Sequence, residues 1–315
     1  MKLKGQSTAD YGLVIALVLV VGALMVMSPA FRDPANLIGI GRQVAILGIA
    51  ACAMTFIILA GEIDLSVGAV ASASAVVTAI ALASGLGIWA IPIGILVGAG
   101  FGLLNGLLVV YITVPSFIAT LVSFFIAQGV ALTLTGGQTI LFDADWFRWM
   151  FATGEFLGNR TAFWWLVAVA LVMWWLLART RFGSNIYAVG GDAQSAEMLG
   201  LPLRKLRLAI FTLTGGLMGL VGMILIARIG NARADGAIGL EFDAIAAAVI
   251  GGTRLGGGYG SMPRTMLGVL LIGVLNNGLA ILNVDFNTQQ IIKGALVIAV
   301  VLIDRWARGG RGSLA

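Results

Sequence analysis

Histidine is absent from this 315-residue chain. Its loss removes the side chain most used as a general base near neutral pH, and the commonest transition-metal ligand. Catalysis by the chain itself is therefore disfavoured and no metal site is expected. A single cysteine, Cys52, excludes an intramolecular disulfide and a cysteine-held metal cluster. Charge is scarce as well: 19 Lys and Arg with 14 Asp and Glu make up 10% of the residues, where a soluble domain carries roughly 25%. That leaves too little polar surface to coat a globule. What the chain has instead is apolar: 60% of it is hydrophobic and the mean hydropathy is +1.03. Forty-four glycines against six prolines in such a chain suit close helix–helix contacts. The composition predicts an all-α integral membrane protein embedded in a lipid bilayer. The formal +5 needs no nucleic-acid partner, because membrane proteins accumulate Lys and Arg on their inner side.

A helix needs about 20 apolar residues to cross a hydrocarbon core about 30 Å thick. About ten segments qualify as transmembrane helices: 12–29, 41–60, 65–84, 88–110, 116–135, 162–178, 208–228, 242–258, 265–283 and 288–305. The eighth is weak enough to be broken or re-entrant. The first has a basic start and small residues near Ser28, as a secretory signal does. Its long apolar run, matched by the rest of the chain, reads instead as a retained span. With the amino terminus inside, 12 Lys and Arg fall on the inner side and 7 on the outer. Both termini are therefore expected in the cytoplasm.

Two stretches echo each other in order. EIDLSVGAV (62–70) opens the third span and EFDAIAAAV (241–249) the eighth. GLLNGLL (102–108) in the fourth parallels GVLNNGLA (273–280) in the ninth, and PSFIATL and NTQQIIKGAL lead into the fifth and tenth. Five spans separate the copies, so their directions are opposed. Halves at about 41–135 and 208–305 then form inverted repeats, with a pathway near their interface, as in transporters. Asn105, Asn276, Asn277 and Gln128 lie inside spans, where an amide must find partners or water. They are the candidate pathway residues. Glu62 and Asp64 are expected at the start of the third helix, with Asp64 as its cap.

Energy must come from elsewhere if it comes from ATP. No G-x-x-x-x-G-K-[ST] occurs, and GGTRLGGGYG (251–260) lacks the phosphate-binding lysine. LTGGQ (134–138) imitates an ATPase signature but closes the fifth span. Between the sixth and seventh spans lies the most polar stretch, 179–207, read as a cytoplasmic loop. In it Asp192 is an N-cap, Ala193 to Leu199 a two-turn helix, Gly200 its stop, and Pro202 a bar to continuation. Ala196 and Leu199 are expected on one side with Met198 nearby, suited to a partner's groove. Arg204, Lys205 and Arg207 would then anchor the seventh span.

LAGEIDLSVGAV, VPSFIATLVSFFIAQGVALTLTGGQTI, RTRFGSNIYAVGGDAQSAEMLGL, AAAVIGGTRLGGGYGS and LLIGVLNNGLAILNV together resemble the permease subunits of ribose-type ABC sugar importers, in the same order from about Arg42 to Asp304. The resemblance implies a single permease domain over 1–315 in the bacterial inner membrane. It implies pairing with a second permease copy, a cytoplasmic ABC ATPase and a periplasmic sugar-binding protein. ATP and Mg would be used by the ATPase, with no cofactor bound by this chain. It also implies an ATPase-coupling role for Asp192, Ala193, Ala196, Glu197, Met198, Leu199 and Gly200. Three departures stand out: Glu62 where the family usually has Gly, Gln128 where Arg is common, and Arg254 in a small-residue loop. Related permeases carry nucleosides or branched-chain amino acids, so those cargoes stay open, as does an ion-coupled secondary transporter.

Overall fold

The computed structural model describes residues 6–285 and, discontinuously, positions between 287 and 298. The described chain is helical throughout its apolar segments, as it must be where no water can satisfy the backbone. In chain order the helices are α1 (Gln6–Met27), α2 (Pro34–Leu59), α3 (Val67–Ala83), α4 (Ala90–Val110), α5 (Ser116–Thr135), α6 (Asp145–Arg148), α7 (Thr161–Arg179), α8 (Arg181–Gly191), α9 (Ala193–Met198), α10 (Leu203–Ile229), α11 (Leu240–Ile250) and α12 (Met262–Ile281). Among the described residues six helical stretches are long and apolar enough to cross a membrane. They are Pro34–Leu59, Gly87–Val110, Ser116–Thr135, Thr161–Arg179, Leu203–Ile229 and Met262–Ile281, with Gly12–Met27 and Val67–Ala83 as shorter apolar helices. The tenth predicted segment, 288–305, lies for the most part outside the described residues.

The eighth predicted span is not a full crossing. Its helix, α11, stops at Ile250, because Gly251 and Gly252 begin a run in which Gly252, Gly257 and Gly258 adopt positive φ. Eleven residues give about 16 Å, roughly half of a bilayer core.

α2 is the central post. It is buried from Val44 to Leu59 without a break, as expected of a helix apolar all round. α4 and α10 pack antiparallel along glycines. Gly94, Gly98 and Gly102, at four-residue spacing, face Gly215 and Gly219, and a Cβ on Gly98 would overlap the Gly215 carbonyl. Leu24 of α1 sits over Gly278 of α12, and Val44 of α2 over Gly273. α5 and α7 are peripheral, with 28% and 22% of their apolar windows buried. Those two helices therefore leave most of their surface for lipid or a partner.

Two small antiparallel pairings close one end. β1 (Ile140–Leu141) pairs with β4 (Asn231–Ala232), and β2 (Glu155–Phe156) with β3 (Asn159–Arg160). Between them a π-helical turn, Trp149–Thr153, places Phe151 flat on Trp165 at 5.4 Å. α8 and α9 lie at the opposite end, hereafter the α9 end.

Candidate functional site

The α9 end is assembled from motifs far apart in sequence. α8 starts where the Thr180 hydroxyl accepts from Gly183 N at 3.3 Å, and it stops at Asp192, whose extended backbone opens α9. The Asp192 carboxylate accepts from Gln194 N (3.0 Å) and Ser195 N (3.1 Å) and from the Ser195 hydroxyl. These bonds hold its carboxyl below the usual range, with the Ser195 hydroxyl contributing most. At the other end Gly200 takes φ +77, Gly200 N reaches Glu197 O at 2.9 Å, and Leu201 N reaches Ala196 O at 3.1 Å. That pair of hydrogen bonds is the Schellman stop. Helix, cap and stop thus lie where the sequence puts them. The shared face does not: Ala196 is 3% exposed and turned into the protein, while Met198 and Leu199 stand out at 76% and 82%. Ala196 is turned in because that side of α9 packs on α8 and α10, which the local sequence does not report. Ala193 is half-buried and Glu197 exposed.

Around this element, Tyr187 of α8 donates to Gly260 O at 2.8 Å, and Gly258 N donates to Leu59 O at 2.9 Å. A Cβ on Gly190 would overlap the Leu59 carbonyl, so only glycine lets α8 close on α2. Arg254 lies 4.3 Å over the Tyr259 ring, and Arg264 donates to the Tyr259 hydroxyl at 2.9 Å. The stretch 179–207 is therefore less a loop than two helices followed by the first turns of α10. The eleven-residue α8 was not anticipated; Thr180 ahead of it is the cap signal that announces it.

From Leu59 the chain turns back into the bundle through residues 60–66. Ile63 N donates to Ser116 Oγ (3.2 Å) and Leu65 N to Thr120 Oγ1 (3.1 Å). Asp64 is not the helix cap: Ser66 holds that position, and buried Asp64 accepts from Ser66 N (2.8 Å) and Ser66 Oγ (2.6 Å). Glu62 likewise does not sit on the helix dipole. It is buried and pairs with Arg207 of α10 at 2.8 Å. Asn105 Nδ2 donates to Ser66 Oγ at 2.9 Å. At the second residue of α3, Gly68 fits against Ala237 and Glu241, and Ala237 N donates to Ser72 Oγ at 2.9 Å. Glu241, 2% exposed, accepts from Gly239 N at 3.0 Å. The starts of α3 and α11 thus meet inside the bundle.

Beside the start of α11 is a cavity of about 370 Å³. Gln43 of α2, Arg228 of α10, Asp243 of α11 and Asn276 of α12 supply its polar lining among the described residues. Its size falls within the range that takes a small ligand. A second cavity of about 440 Å³, around Asn231, Arg233 and Asp235, adjoins it at Leu225 and Gly236. Of the four candidate pathway residues only Asn276 lines the first cavity, and its Oδ1 has no protein partner among the described residues. Asn105 is in the Ser66 network, and Asn277 exchanges two hydrogen bonds with Asn36 (3.1 and 2.9 Å), tying α12 to α2. Gln128 sits half-buried on α5, at neither cavity. Gln43 and Asp243 were not singled out, although each is a polar group set in an apolar segment.

The profile of the family described as "Branched-chain amino acid transport system / permease component" matches residues 36–301. The chain belongs to that permease family. It is 38% identical to a ribose import permease of Bacillus subtilis, over 92% of this chain and 91% of the relative. Identity to a ribose import permease of Escherichia coli is 37%, over 92% of each chain. An L-arabinose ABC transporter permease of Azospirillum brasilense is 31% identical, over 96% and 89%. In fold, the chain resembles a metal-chelate type ABC transporter solved in an inward-facing conformation, with TM-score 0.57 at 17% identity, covering 93% of this chain and 98% of that one. The protein is a multi-pass membrane permease.

Proposed function

We propose that this chain is the membrane-spanning subunit of an ATP-driven importer that moves a sugar (a pentose, hexose or related polyol) across the bacterial inner membrane. The observation that carries the reading is the end-to-end identity with ribose import permeases, at 38% and 37%. In this reading the chain has ten spans in two inverted halves and both termini in the cytoplasm. Two copies form the pathway, a periplasmic binding protein delivers the sugar, and a separate ABC ATPase uses ATP and Mg. The chain itself binds no cofactor. Residues 192–200 receive the ATPase, with Met198 and Leu199 as anchors, because a capped and stopped helix presenting two exposed apolar side chains suits a partner's groove. Asn276 contributes to the pathway through the cavity it lines, whose mixture of amides, cation and carboxylate matches hydroxyl-rich cargo better than an aliphatic one.

The test is reconstitution with the ATPase and binding protein in proteoliposomes, measuring uptake of labelled pentoses and hexoses, with leucine and adenosine as competing cargoes. Uptake should need a hydrolysis-competent ATPase. M198D/L199D should lower co-purification of the ATPase about tenfold while the permease stays in the membrane. Undisturbed association would remove α9 from the docking role. Uptake indifferent to the ATPase but abolished by an uncoupler would point to an ion-coupled transporter.

A further inference from the structure

The Glu62–Arg207 pair is the one ion pair among the described residues that joins segments distant in sequence; Arg160–Glu155 and Arg233–Asp235 are local. Its location is specific. Arg207 lies in the second turn of α10, and little slack separates it from α9. Leu201 N bonds back to Ala196 O, Leu206 N bonds to Pro202 O at 3.0 Å, and Leu206 is buried. Only residues 199–202 separate α9 from α10, so α9 is tied closely to the first turns of α10. Glu62 sits in the short segment 60–66, whose backbone and side chains grip three spans. Ile63 and Leu65 hold Ser116 and Thr120 of α5, Ser66 receives Asn105 of α4, and Val67 begins α3. The pair is also sheltered, with Glu62 and Arg207 side chains 10% and 29% exposed.

A sheltered ion pair is a poor source of stability, since desolvation offsets most of its attraction. Its better-attested use is to fix one arrangement of two elements. We propose that the Glu62–Arg207 pair is the strut that carries displacement of the α9–α10 unit to residues 60–66, and through Ser116 and Thr120 to α5. α5 is largely unburied within the protomer, so most of its surface is left for lipid or a neighbouring chain. The proposal rests on the ATP-driven reading above. Glu62 and Arg207 are positioning residues, touching neither ATP nor cargo.

The experiment measures sugar transported per ATP hydrolysed by the complete reconstituted importer. E62Q and R207Q should each lower this ratio about fivefold or more, the scale of a typical coupling between sites. The exchanged pair E62R/R207E should return it to within about twofold of wild type. Because either single change can strand a charge and impair assembly, E62Q/R207Q is the second variant. It leaves no unpaired charge, so it should assemble and still show the low ratio. A wild-type ratio in the neutral pair, or no recovery in the exchanged pair, overturns the strut. A purely structural pair would lower the amount of complex and leave the ratio per complex unchanged. If wild-type uptake does not depend on ATP at all, the functional reading fails, a result visible before any variant is made.

Discussion

Asn105 and Asn276 occupy matching places in two similar motifs, one in α4 and the other in α12, yet their surroundings differ. Asn105 is 1% exposed and bonded to Ser66, whose hydroxyl and amide in turn hold Asp64. Asn276 is half-buried and faces a cavity of about 370 Å³. The first neighbourhood ties the Asn105 amide nitrogen to Ser66, so it fixes the start of α3 against α4. The second sets the Asn276 side chain beside an open space. A buried amide is costly unless satisfied; the Oδ1 of each asparagine lacks a protein partner among the described residues, but Asn105 donates to Ser66 whereas Asn276 lines a cavity. Similar sequence at two places has produced a clamp at one and a lined space at the other.

The two neighbourhoods touch at Gly68, so the largest effect is expected there. A side chain on Gly68 would overlap the Glu241 carboxylate and the Ala237 carbonyl, and the second is backbone that cannot swing aside. G68L should destabilise the permease by about 3 kcal/mol or more. Loss of a monodisperse peak, or a large fall in thermal midpoint in detergent, is the expected readout. A wild-type midpoint would mean that the starts of α3 and α11 do not meet as described.

Leucine at the paired asparagines sharpens the contrast. N105L removes the donor to Ser66 and should cost about 1–3 kcal/mol of stability. N276L loses no protein hydrogen bond from its Oδ1, so stability should move by no more than about 0.5 kcal/mol. Its cost should fall on transport: losing one hydrogen bond to a polar cargo is about 1.4 kcal/mol, or tenfold in apparent affinity. Thermal midpoints and uptake measured on the same preparations decide it. The opposite pattern, with Asn105 governing uptake and Asn276 governing stability, would break the comparison.

The sequence made the helices legible because an apolar run of sufficient length has one backbone solution in lipid. α4, α5 and α7 fall within a few residues of the predicted spans. α11 was harder, since Gly251 and Gly252 end the helix while Ile250 and its neighbours keep the segment apolar. α9 was legible through Asp192, Gly200 and Pro202, each with a local physical role. The orientation of Ala196 was not, because which side of a six-residue helix turns inward is set by α8 and α10, outside the local signal. For the same reason the roles of Glu62 and Asp64 were misread. Their partners, Arg207 and Ser66, depend on a chain that reverses into the bundle at residues 60–66. Hydropathy cannot report a reversal of that kind.

The smallest effect is expected at α9, which lies outside both neighbourhoods and is linked to the first through α10 and the Glu62–Arg207 pair. Its integrity depends on the Asp192 carboxylate, held below the ordinary range by Ser195 and the backbone amides. A carboxyl lowered in the folded state contributes above its unfolded value, about 3.9, and loses that contribution as pH falls through the folded value. Between pH 5 and 8, taken as a working range of about three units above that value, the helix should keep a constant cap. Amide hydrogen exchange at residues 193–199 should therefore show protection independent of pH after correction for intrinsic rates. D192A should lose most of that protection, whereas D192N, which keeps an acceptor oxygen, should retain most of it. Equal protection in D192A would mean that α9 is held by its contacts with α8 and α10 rather than by its own cap.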